Sequence, residues 1–169
     1  MLEKKGPNLL HWNYFLALES DLKHLSRYIE FSEENHKTYS LELAHLLLAA
    51  ASEVDVVLKG LCKKIQPESE PRNINEYREI VVPRFPKLCE MKMRIPRYGL
   101  EIVPWENWKD GCSPNWWCAY NDVKHKRDRF FSQATLQHTI AAVAGLFVVL
   151  LYYTKKKQNL VSFYQRLRF

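Results

Sequence analysis

The stretch Tyr120-Asn-Asp-Val-Lys-His-Lys-Arg127 gathers an imidazole, an amide and three cations within eight residues. On a helix, Asn121 and His125 stand four apart and share a face, with Lys124 and Asp128 at its border. Histidine titrates near neutrality, so His125 could move the proton of a ribose 2′-hydroxyl or of a leaving group. Lys124 or Arg127 would stabilise charge that develops at a scissile phosphate. The Asn121 amide would orient the phosphate or fix the imidazole, and Lys126 would add a backbone contact. Together these groups suit metal-independent cleavage of RNA. The same residues also make an ordinary solvated helix end, where cations meet the negative pole of the dipole. Residue types alone leave both readings open.

The charge balance gives this segment company. A formal charge of +6 and a pI near 9.1 lean towards polyanionic partners, RNA first among them. Residues 150–169 hold Lys155, Lys156, Lys157, Arg166 and Arg168 with no acid, and Lys155–Lys157 are a second candidate nucleic-acid contact. Residues 84–97 add five cations against Glu90 alone. Solvated charge that keeps a protein in solution explains either cluster equally simply.

Other chemistries find less support. Cys62, Cys89, Cys112 and Cys118 lack the paired close spacing of a zinc site, so no metal and no cofactor is expected. Free, mostly packed thiols in a reducing cytoplasm are the expectation, since no secretory h-region follows the charged start. Glu53 and Asp55 fall in an apolar helix, where a salt bridge or a hydrogen bond to a neighbouring helix is the simplest role. His45 and His138 read as satisfied core or surface histidines on long helices. Trp105, Trp108, Trp116 and Trp117 could stack bases, although packing one end of the fold suits their density better.

Positioning falls to helices. Apolar spacing predicts a first helix over 8–31, and a second from a cap at Thr38 or Ser40 to about Ile65. Asn73 and Glu76 have capping-box spacing and open a short helix, Ile74 to about Val82, that Pro83 should end. Prolines at 86, 96 and 104 and the alternation Met91-Lys-Met-Arg-Ile95 predict extended chain or a small hairpin, within an irregular insertion at about 84–112. Ser113-Pro114 should cap the helix that carries His125, with a break at Asp128–Ser132. Thr135 to about Lys155 is the last helix. Its fourteen-residue apolar run, Ile140–Tyr153, is short for a bilayer and reads as buried in protein, so no membrane partner is expected. The whole chain, 1–169, is therefore expected to be one mainly α domain, an antiparallel helical bundle with a short loop or hairpin insertion.

A polar Asn-x-x-x-His-x-Arg segment leading into a long apolar helix resembles the HEPN superfamily, over roughly 8–65 and 113–155. That resemblance implies a helical bundle, many of whose members are metal-independent endoribonucleases in toxin–antitoxin, abortive-infection and other antiviral defence systems. It also implies a homodimer whose active site forms where two motifs meet, and an antitoxin or other regulatory protein partner. Only His125 matches the family's Arg-to-His signature, because no Arg lies four to seven positions ahead of it. The resemblance therefore implies either a variant site, with Lys124 or Arg127 as its cation and Asn121 as its orienting group, or a catalytically silent relative that binds nucleic acid or protein.

Overall fold

The computed structural model describes residues 9–154. Five α-helices account for most of them: α1 (Leu10–Leu25), α2 (Leu41–Ile65), α3 (Ile74–Arg84), α4 (Asn115–Phe130) and α5 (Leu136–Thr154). A two-stranded antiparallel hairpin, β1 (Met93–Ile95) with β2 (Leu100–Ile102), lies in the insertion and pairs Met93 with Ile102. Its turn closes at Gly99, whose φ of 65° is open to glycine without strain. Met91, Met93 and Ile95 point into the core while Lys92 and Arg94 face solvent. That is the period-2 pattern read from the sequence.

The local signals explain most boundaries. Ser40 caps α2, its hydroxyl accepting from the Leu43 N–H at 3.1 Å. Asn73 Oδ1 accepts from the N–H groups of Asn75 and Glu76. The reciprocal arm of the capping box is displaced by one residue, because Glu76 accepts from the Arg72 N–H at 2.7 Å. Pro83 does not end α3, which runs one residue further to Arg84. A proline in the last turn forfeits one bond, to the carbonyl of exposed Glu79, and Phe85 N–H still closes the end on Val81 O. Helix α1 stops at Leu25, short of the expected 31, and the chain turns to bury Phe31 against Tyr98, ring centroids 5.0 Å apart. Pro114, with no side-chain cap, stands where Ser113 was expected to cap α4.

Helix α5 is the centre. It is buried along nearly its whole length, and it packs most extensively on α2 with α1 and α4 on its flanks. At nineteen residues it is long and apolar enough to cross a membrane, but most of it is covered by the rest of the protein. Its burial, rather than the length of its apolar run, marks it as a core helix. The bundle is antiparallel between α1 and α2, α1 and α5, and α4 and α5, but its tightest pair is parallel. Thr139 Oγ1 donates to Leu43 O at one end of α2 and α5, and Tyr153 lies on Gly60 at the other. The start of α5 is held by a neighbouring loop: Leu136 N–H donates to Thr38 O at 2.8 Å and Gln137 N–H to His36 O at 3.2 Å. These carbonyls satisfy donors that an α-helix leaves free in its first turn.

Candidate functional site

Helix α4 delivers the candidate side chains by burying one face and exposing the other. Trp116, Tyr120 and Val123 are buried, while Lys124, His125, Lys126, Arg127 and Arg129 are exposed. Anchoring is strong at the start of the helix. Trp116 Nε1 donates to Pro104 O at 2.8 Å and Trp105 Nε1 to Gly145 O at 3.1 Å. Successive ring contacts run from Trp108 through Trp105, Trp116 and Trp117 to Tyr120. These tryptophans pack the insertion and α4 onto α5, so their faces are spent on each other and not on bases.

Tyr120 then meets the cationic face. Lys124 Nζ donates to Tyr120 Oη at 3.2 Å and sits 5.3 Å from the ring centroid. Asn121 is half-buried one turn before exposed His125. The helix ends at Phe130, within the break expected at Asp128–Ser132, and a short 3-10 turn over Phe131–Gln133 leads on towards α5. It also kinks earlier: Lys126 has φ −143° and ψ 48°, so two helical pieces meet there. Ideal-helix geometry therefore does not relate Arg127 to His125, since the residue between them is not helical. Arg127 is exposed. Lys124, Lys126, Arg127 and Arg129 neighbour His125 in sequence and are all exposed, with Asp128 4.0 Å from Arg129. Arg129 is a member that sequence reasoning missed. Lys155, Lys156 and Lys157 lie outside the described residues.

The remaining titratable groups find structural partners. His11 Nδ1 meets Glu53 Oε1 at 2.5 Å, joining α1 to α2, and Tyr77 Oη donates to Asp55 Oδ1 at 2.7 Å, joining α3 to α2. Both carboxylates thus take the helix-linking role expected of them. Burial, reinforced by the bond to Asp55, raises the Tyr77 hydroxyl well above its ordinary range. His138 Nδ1 pairs with Gln133 O at 2.8 Å. Among the cysteines, Cys62 and Cys89 are packed but Cys112 and Cys118 are exposed, so only half are packed rather than most. Burial pushes the Cys62 thiol up to about 11. No cluster of three or more His, Cys, Asp or Glu suited to a metal occurs among the described residues.

A second concave feature lies away from α4. A groove of about 460 Å³ separates the C-terminal half of α1 from the start of α2. Leu18, Leu25 and Leu46 form its floor, and Asp21, His24, Glu42 and His45 stand on its walls. His45 is an exposed surface histidine, 3.9 Å from Glu42. The grouping depends on the α1–α2 register, which residue spacing within either helix does not specify.

No protein-family model, no curated protein and no solved structure matches this chain.

Proposed function

We propose that the protein engages RNA through the kinked end of α4, as a HEPN-like bundle that presents Lys124, Lys126, Arg127 and Arg129 to the phosphate backbone. The observation that carries this reading is the break at Lys126, about which four exposed cations stand within the six residues Lys124–Arg129, with Asp128 among them. Binding by such a surface is dominated by phosphate neutralisation and weakens as salt rises. Single-stranded RNA is the natural ligand, since its flexible backbone can follow an irregular exposed helix end.

Endonuclease activity is the second reading, favoured by exposed His125 among those cations. Among the described residues its imidazole has no hydrogen-bond partner to fix a tautomer or hold the ring. An acid–base imidazole needs such an orienting group. In this reading a second copy of the chain supplies it, as in the dimeric sites that the HEPN resemblance implies. Wild type and His125→Ala compared for RNA binding, and for cleavage in EDTA, separate the two. Binding by both proteins with cleavage by neither leaves the silent RNA-binding module. Cleavage by wild type alone establishes the ribonuclease. An absence of salt-dependent binding to any RNA removes both.

A further inference from the structure

We propose that the face shared by α1 and α2 is a docking site for an amphipathic, positively charged helix of a protein partner. Every large hydrophobic side chain left exposed among the described residues lies between Leu9 and Val56, on α1, on α2 or in the chain beside them. Helices α3, α4 and α5 and the insertion leave none. Apolar surface concentrated on one pair of helices marks an interaction face, where scattered single residues would not. Tyr14, Leu18 and Leu25 follow helical spacing along α1, and Leu46, Ala49 and Val56 do so along α2. Leu18, Leu25, Leu46 and Ala49 line the groove, while Tyr14 and Val56 extend the two stripes towards the His11–Glu53 contact. Two antiparallel helices leave a furrow between them that the ridge of a third can fill. From Tyr14 to Leu25 it runs roughly 16 Å at 1.5 Å per residue, about three turns of a partner helix.

Charge selects the occupant. Residues 19–42 hold six carboxylates against three lysines and arginines, although the whole chain carries +6. Asp21 and Glu42 stand exposed on opposite walls of the groove, and no lysine or arginine lines it. Such a surface repels the phosphates of RNA and of anionic membranes. It suits a helix that carries lysine or arginine on either side of an apolar stripe. Tyr28, 74% exposed at the end of the groove, offers a ring face to one of those cations.

The test pans a displayed peptide library against the full chain. Each peptide has about eighteen residues, five helical turns, with leucine, isoleucine, methionine or phenylalanine at helical spacing and every other position random. Enriched peptides are expected to carry lysine or arginine beside the apolar stripe. Asp21→Lys with Glu42→Lys should weaken binding of a purified enriched peptide about threefold to tenfold, the scale of two exposed charge pairs. Ala49→Arg, which puts a long cation into the groove, should weaken it further. Asp21 and Glu42 are exposed and Ala49 is half-buried, and circular dichroism checks that each variant folds. Enrichment of acidic or uncharged peptides, no enrichment at all, or affinity indifferent to both variants would overturn the proposal. So would a dimer of the free chain, seen by sedimentation, that Ala49→Arg dissociates, since the face would then belong to a second copy. The readout involves no RNA, so it stands or falls apart from the function proposed above.

Discussion

Trp116 lies so close to Gly145 that a β-carbon at that position would stand 2.9 Å from Trp116 Cζ2. The indole cannot simply withdraw, because its Nε1 is held by Pro104 O and its ring is flanked by Trp105 and Trp117. Gly145→Ala should therefore destabilise the protein by about 1–3 kcal/mol, although alanine is the better helix former by about 1 kcal/mol. Gly60→Ala is the control. Its β-carbon would meet Tyr153 Cε2 at 2.8 Å, but Tyr153 is only half-buried near the end of α5, and one of its ring neighbours is the flexible Lys64 side chain. Urea denaturation of both variants should show the larger loss at Gly145; equal losses would contradict this account.

Tyr77→Phe removes the hydroxyl that joins α3 to α2. Asp55 keeps Lys59 at 2.5 Å, so its charge is not abandoned. The expected cost is about 1.5–3 kcal/mol, the range for a hydrogen bond to a charged group. A thermal melt unchanged from wild type would show that the bond contributes nothing net.

Alkaline stability should depend on Cys62. Its folded pKa lies above the unfolded value, raised by burial from 9.0 to about 11. Unfolding then releases a proton, so the stabilisation is complete below about pH 9 and is lost as pH rises through 9 to 11. Two units correspond to roughly 2–3 kcal/mol. Cys62→Ala should be less stable at neutral pH by about 1 kcal/mol, through a small cavity, yet lose less on going from pH 8 to pH 11. Parallel pH profiles for variant and wild type would exclude the thiol as the source.

For RNA, Lys126→Glu with Arg127→Glu should weaken binding across unrelated single strands. It should also reduce the slope of log affinity against log salt by about 1.4, near 0.7 for each phosphate that is no longer neutralised. Affinity titrations between about 50 and 200 mM salt decide it, and an unaltered slope in the double variant would place the RNA surface elsewhere.

Much of the fold could be read from residue spacing, because periodicity, caps and prolines act locally. Ser40, Asn73 and the alternation through Met91–Ile95 each determine structure within a few residues, and each is found where it was expected. The errors occur where distant residues decide. Phe31 turns the chain after α1 because Tyr98, far along the sequence, receives it. The parallel pairing of α2 with α5 rests on Leu43–Thr139 and Gly60–Tyr153, separations that no local pattern encodes. The candidate site was half legible. The buried and exposed faces of α4 follow from its sequence, whereas the break at Lys126 leaves no glycine or proline to announce it.

The central position of α5 has a consequence for synthesis. Its partners α1, α2 and α4 all precede it, so a ribosome that has released only the chain through Phe130 has supplied three amphipathic helices and nothing for them to enclose. Leu43, Leu47 and Leu58, fully covered in the finished protein, have to wait in contact with water, chaperone or one another. Closure comes as a late, single event that brings residues about ninety positions apart together, and the nascent chain is most vulnerable to aggregation just before it.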